Sequence, residues 1–262
     1  MALFTDAPIS TLDQLAAQDS AALDVASTEG IDATAKISLA QDELGIEIVA
    51  AASRSPFSPA TPSVWWPGMM LTTTLQLSSI VVTPPLRLWH TFHTLELLYR
   101  DAYNNQLNDR YLGKWHAYTD LSKWATSMLM QTGVGVVSDP VAVAQSPQVV
   151  VTSGIFQATT YFAQAAWLNS QGEEGMASAV ASASALDQNS IQVTAANPPV
   201  NGMSWNLYAG TSIDSITLQN PVPISAGQAW LLPVSGLVSG RSPGTGQAPS
   251  YYRVLPRYLQ RG

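Results

Sequence analysis

The chain has no cysteine among its 262 residues. That excludes disulfides and thiolate metal sites, and it fits a protein that matures in a reducing compartment. Charge is scarce too. Asp, Glu, Lys and Arg make up 11% of the chain, against about a quarter in an ordinary soluble protein. A monomer of this composition has few charges to cover its surface, which favours an assembly that covers much of it. Histidine occurs three times, as His90, His93 and His116. The N-terminus, MALFTDAPIS, lacks a basic segment followed by an apolar run, so it is not expected to be a secretory signal. No apolar stretch is as long as a membrane-spanning helix, so no membrane partner is expected. No phosphate-binding G-x-x-x-x-G-K-S/T occurs, and 133-GVGVV-137 lacks the third glycine of a dinucleotide fingerprint. No cofactor is expected.

What is present is unevenly distributed. The net charge is −7. Residues 1–54 hold nine acids and two bases, while residues 133–235 hold five acids and no Lys or Arg. A segment without cations is no platform for phosphates. Residues 236–262 reverse the sign with Arg241, Arg253, Arg257 and Arg261 and no acid. That basic tail fits either nucleic acid or an acidic protein surface such as residues 1–54.

Periodicity divides the chain. Leu12, Leu15, Leu23 and Ala26 recur at roughly helical spacing from a cap at Ser10 to Gly30, predicting one helix. A second, capped by Asp32, carries Ile37, Leu44 and Ile48. Six prolines between 56 and 85 rule out a long helix there, and 70-MLTTTLQLSSIVV-82 suits a short strand or extended loop. Trp65 and Trp66 beside Pro67 suit a partner contact or packing on the protein's own helices. Thr83-Pro84 starts a helix expected to reach Leu107, and Asp109–Gln131 follows as another, closed by Gly133. Beyond Val134, β formers cluster in Val149–Thr152, Thr159–Asn169, Ser190–Thr194, Met203–Ala209 and Gln228–Leu232, with 170-SQGEEG-175 as a hairpin turn. The fold class expected is α+β and multi-domain. A helical bundle (1–135, with a Pro/Trp-rich insertion at 53–82) precedes a small antiparallel β-sandwich (145–235). A Gly/Pro/Ser-rich linker then leads into a basic, aromatic arm (236–262) lying outside both cores.

Two motifs invite chemistry and fail. Leu88, Phe92, Leu95 and Tyr99 form an apolar helix face, which puts His90 on the opposite side and Glu96 about 120° from it. Residues so spread do not converge on one ion, so no metal site is expected. The histidines are expected to face solvent or a neighbour, and Glu96 to pair with Arg100. Gly240-Arg-Ser242-Pro-Gly244 matches G-x-S-x-G. A nucleophile elbow needs a strand before it, a helix after it and a later histidine, and none of these is predicted here. No catalytic residue is assigned, and the chain is not expected to be an enzyme.

The runs 25-VASTEGID-32, 86-LRLWHTFHTLELLYRDAYNNQLNDRYLGKW-115 and 131-QTGVGVVSDPV-141 resemble the helical part of tailed-phage head–tail adaptor (connector, head-completion) proteins. The runs 167-WLNSQGEEG-175 and 205-WNLYAGTS-212 resemble an immunoglobulin- or fibronectin-like module, and 247-GQAPSYYRVLPRYLQRG-262 fits the same class of virion protein. The resemblance implies a structural protein of the virion neck, synthesised in the host cytoplasm and without enzymatic activity. It implies a dodecameric homo-oligomeric ring between the portal protein and a tail connector or terminator protein, with DNA passing through and no sequence-specific binding. The interface residues expected are Tyr251, Tyr252, Arg253, Arg257, Tyr258, Leu259 and Arg261 on the arm, with Trp65 and Trp66. The alternative is a tail or baseplate component whose β-domain binds glycan on Trp167, Trp205 and Trp230.

Overall fold

The computed structural model of the protein describes residues 1–53, 75–106 and 109–255. The chain forms two compact units. One is helical and comprises Ala7–Val136 with the segment from Pro249 on; the other comprises Met1–Asp6 and Val137–Ala248. A helical N-terminal region thus precedes antiparallel sheets, an α+β architecture.

In the helical unit, α1 (Leu12–Gln18) starts one residue later than expected. Thr11 is its cap, in a reciprocal box with Gln14: the Thr11 hydroxyl accepts from the Gln14 N–H at 3.3 Å, and Gln14 Oε1 accepts from the Thr11 N–H at 3.1 Å. The single helix expected to Gly30 is also corrected. It breaks at Asp19, whose backbone is extended, and resumes as α2 (Ala22–Thr28). Asp19 leaves the helix because its buried carboxylate is the acceptor for side chains of two later helices. Gly30, at φ +66°, turns the chain into α3 (Ala33–Ser53), whose first turn is capped by Asp32 Oδ1.

Of the expected 70–82 strand, residues 75–82 are described; they hold a 3₁₀ turn at Leu77–Ser79 and a bridge from Ile80 to Val136. Trp65 and Trp66 lie outside the described residues. Helix α4 (Pro84–Gln106) begins at the expected Thr83-Pro84, and α5 (Leu112–Thr132) begins three residues beyond the expected Asp109. α1, α2, α3 and α5 all pack on α4. That overturns the expectation of a single apolar face on α4: Leu86, Trp89, Leu95, Leu97 and Leu98 point in several directions and are all buried. After Gly133, strand β1 (Val134–Val136) is buried throughout.

The second unit holds two antiparallel sheets. One orders β2 (Gln148–Phe156), β5 (Asn189–Thr194) and β9 (Trp230–Leu231). The other orders β4 (Ala181–Ala185), β3 (Thr159–Leu168), β6 (Ser204–Gly210) and β7 (Thr217–Leu218), with β8 (Ile224–Ser225) also on β6. Alternate residues Ala163, Ala165 and Trp167 of β3 share one core cluster with Trp205 and Leu207 of β6 and with Ile191 and Val193 of β5. The opposite face of β3 and β6 is covered as well, with Ala166, Tyr208 and Ile216 in a second cluster. The expected hairpin turn forms around Asn169, whose Oδ1 accepts from the N–H groups of Gln171 (3.0 Å) and Glu173 (2.9 Å).

Residues 236–248 are no tether. They strap the β unit. Gln247 is buried; its Oε1 accepts from Val141 N–H at 2.7 Å and its Nε2 donates to the Asp139 carbonyl at 3.0 Å. Leu237 packs on the core, and the Leu218 N–H donates to the Arg241 carbonyl at 2.9 Å. Glycine here serves close approach rather than flexibility. A Cβ on Gly240 would stand 2.6 Å from the Leu218 carbonyl oxygen, and one on Gly246 (φ +102°) 2.5 Å from that of Met1. The last element, β10 (Tyr251–Arg253), pairs antiparallel with β1 in the register Val134↔Arg253 and Val136↔Tyr251.

Candidate functional site

His90 is fully buried, against the expectation of an exposed position. It belongs to α4, which neighbours cover on nearly every side. Its Nε2 lies 3.0 Å from the Ile37 carbonyl of α3, which only accepts, so Nε2 carries the proton. Nδ1 then accepts from the Ser10 hydroxyl at 2.9 Å, and Ser10 Oγ lies 2.9 Å from Thr91 Oγ1. Burial holds the imidazole down at about 4, so it is neutral near pH 7. A Ser–His contact is half of a nucleophile–base pair. Here the second ring nitrogen meets a backbone carbonyl rather than a carboxylate, and neither side chain reaches solvent. The chemistry this arrangement performs is tying the chain before α1 to α3 and α4.

His93, three residues along the same helix, is the opposite case. It lies between two carboxylates, Nε2 at 2.6 Å from Glu43 Oε2 of α3 and Nδ1 at 3.1 Å from Glu96 Oε2 of α4. Burial pulls its pKa down, but the hydrogen bonds and charges of Glu96 and Glu43 outweigh it and raise the net value. Glu96 is buried too, which raises its pKa, yet His93 and Thr119 bring it below the ordinary carboxylate range. The expected Glu96–Arg100 pair is replaced by Glu96 with His93 and Thr119. Glu47, one turn after Glu43, is pushed up by burial. Both ring nitrogens of His93 are engaged with carboxylates as hydrogen-bond donors, an ion-pair geometry rather than metal ligation. Among the described residues no group of three or more His, Asp or Glu side chains is placed to hold a metal.

A third cluster was not foreseen. Asp19 Oδ2 accepts from Tyr99 Oη (2.8 Å), Tyr118 Oη (3.0 Å) and Lys114 Nζ (2.6 Å). The two tyrosine rings stack with centroids 5.5 Å apart, and the ammonium lies 5.7 Å and 5.8 Å from them. Burial raises the Asp19 pKa, but the Lys114, Tyr99 and Tyr118 hydrogen bonds prevail and lower it. The same carboxylate pushes both phenols well above the usual tyrosine value, after burial as the larger cause. Asp19 therefore joins the α1–α2 corner to α4 and α5. The one local signal was an acid interrupting a helical apolar run.

The expected interface residues divide. Tyr251 and Tyr252 are exposed on β10 at 47% and 56%, and Arg253 is half-buried. They are held as a strand on β1 rather than carried on a free arm. Leu255 beyond them is 1% exposed, so the segment contributes to a core it was expected to lie outside. Arg257, Tyr258, Leu259, Arg261, Trp65 and Trp66 lie outside the described residues.

Trp167 and Trp205 are fully buried register partners on β3 and β6, and Trp230 packs against the same core. Trp167 and Trp205 offer no face for sugar stacking, while Trp230 is partly exposed on β9. The G-x-S-x-G match lies in the strap, with neither a strand leading into it nor a helix leading out. Its arginine, Arg241, pairs with Glu174, which also accepts from the Tyr208 hydroxyl. These polar clusters bind elements of the protein to one another, and no nucleophile, base and oxyanion donor converge among the described residues. No protein-family model matches the sequence, and no curated protein matches it.

Proposed function

We propose that the chain is a structural subunit of a tailed-phage neck, a head–tail adaptor ring between portal and tail through which DNA passes. The observation that carries this reading is that two helices of the helical unit bear apolar side chains on their outward faces as well as their inward ones. Ile46 of α3 is 70% exposed and Trp124 of α5 is 50% exposed. With charged residues at 11% of the chain, such a subunit is built to be covered by others.

The rest of the reading follows from the sequence resemblance. It supplies the portal and a tail connector or terminator as partners, the dodecameric ring, and the location at the head–tail interface. The β unit is read as an immunoglobulin- or fibronectin-like sandwich. Support for this is the single core cluster drawn from β3 and β6 of one sheet and β5 of the other. The absence of Lys and Arg from residues 133–235 suits a surface that DNA passes without adhering. The glycan-binding tail component is the weaker reading, because two of the three tryptophans it needs, Trp167 and Trp205, are in the core.

Location on the particle tests the proposal. Virions carrying a tagged copy of the chain, labelled and viewed by electron microscopy, should show label at the neck. Label at the tail tip would favour the baseplate reading, and label absent from purified virions would rule out both.

A further inference from the structure

The chain contains one Asn-Gly step, Asn201-Gly202. It lies in the turn that leads into β6, where the Gly202 N–H donates to the Pro199 carbonyl at 2.8 Å. The turn needs glycine there, because a Cβ at position 202 would stand 2.8 Å from Pro199 Cδ. The same lack of a side chain leaves the Gly202 nitrogen unhindered beside the Asn201 amide. Val200 and Met203 on either side are exposed, so water reaches the turn. An amide carbon next to an unhindered backbone nitrogen, with water at hand, is the arrangement from which asparagine loses its amide without an enzyme.

The fold holds that amide in place. Asn201 Nδ2 donates to Asp139 Oδ1 at 2.6 Å and to the Pro140 carbonyl at 3.0 Å. A carboxylate and a carbonyl only accept, so an NH2 group with its two donors satisfies both and a carboxylate in its place satisfies neither. Asp139 is itself anchored, because its backbone carbonyl accepts from Asn169 Nδ2 at 3.2 Å and from Gln247 Nε2 at 3.0 Å. The hairpin turn around Asn169 and the strap thus fix the residue that clamps Asn201.

We propose that Asn201-Gly202 is a site of spontaneous covalent modification that Asp139 keeps latent. When the turn opens, the Gly202 nitrogen gives up its proton and bonds to Asn201 Cγ. The Cγ–Nδ2 bond breaks, and the amide nitrogen leaves with that proton as ammonia. Water then opens the cyclic imide at either carbonyl and leaves an aspartate or an isoaspartate at position 201. Water is the only co-reactant, and nothing is oxidised or reduced. The change is one-way. The new carboxylate faces Asp139 Oδ1 and the Pro140 carbonyl, so like charge and missing donors keep the clamp from re-forming. The proposal concerns the β unit alone and is independent of the adaptor reading.

The test is peptide mapping by mass spectrometry of the full chain, incubated at mildly alkaline pH in buffer and in urea. Acid at position 201 should accumulate in urea, and about tenfold more slowly or less in the folded protein. Asp139→Ala should raise the folded-state rate at Asn201 about tenfold and leave Asn189 and Asn206 unchanged. Faster loss at those two asparagines as well would mark an unfolded variant, and a second pair of variants then decides. Asn201→Asp should lower the melting temperature, and Asp139→Asn added to it should restore part of the loss by returning a donor from the other side. Equal rates in buffer and urea overturn the proposal, as does an unchanged rate at Asn201 in a folded Asp139→Ala protein. A double variant no more stable than Asn201→Asp alone overturns it too.

Discussion

His90 Nδ1 stands 2.9 Å from Ser10 Oγ, across eighty residues of sequence. The contact fixes a proton on Nε2 and keeps the ring neutral in a site without solvent. In the unfolded chain the same ring titrates near its ordinary value of 6.5, against about 4 in the fold. Between those two values the unfolded state binds more protons, so stability falls as pH falls through the window. The loss should approach roughly 3 kcal/mol by pH 4. Denaturant melts from pH 7 to pH 4 should show it, and His90→Gln should flatten that limb while lowering stability at pH 7.

His93 acts with the opposite sign. Its folded pKa is raised by Glu96 and Glu43. Its contribution is fully present below the unfolded value near 6.5 and is lost as pH rises through the higher folded value. Melting temperature should therefore decline on the alkaline side of neutrality. His93→Gln should remove that decline. An unchanged alkaline slope in the variant would show that the ion pairs with Glu43 and Glu96 are not its source.

Asp19→Ala should be among the most costly single substitutions in the helical unit. It strands two buried phenols and removes the carboxylate facing Lys114. The expected loss is roughly 3–5 kcal/mol in a denaturant melt. Asp19→Asn keeps one acceptor oxygen and should lose less. A loss below about 1 kcal/mol for the alanine variant would be that of an ordinary surface position.

Ending the chain after Ser250 removes β10 and Leu255, the pairing partner of β1 and a core side chain. The helical unit should lose roughly 2–4 kcal/mol. A truncated protein that melts like the intact one would restore the picture of a free arm.

Much of this architecture is legible in the sequence because local chemistry sets it. Asp32, Thr83-Pro84 and Gly133 mark helix ends by capping and backbone geometry. Trp205 and Leu207 alternate with polar neighbours as a strand with an inward face does. The misses arise where distant residues decide. Nothing near Asp19 in sequence announces that Tyr99, Tyr118 and Lys114 converge on it and end α1 there. Helical geometry placed His90 correctly opposite Leu88 and Phe92, but only the packing of α1 to α3 turns that side into interior. Gly, Pro and Ser in 236–248 read as flexible, yet Gln247 and the close glycine contacts make the segment a strap. Alternating Ala and Ser in β4 carries too weak a hydropathy contrast to mark a strand, although it pairs fully with β3.

The central claim is that this chain is a ring-forming neck component. It is tested most directly by electron microscopy of the purified protein mixed with the portal protein encoded in the same genome. The account predicts a ring of this chain seated coaxially on the portal, with one copy per portal subunit. Portal rings without added density, beside free monomers of the chain, would contradict it.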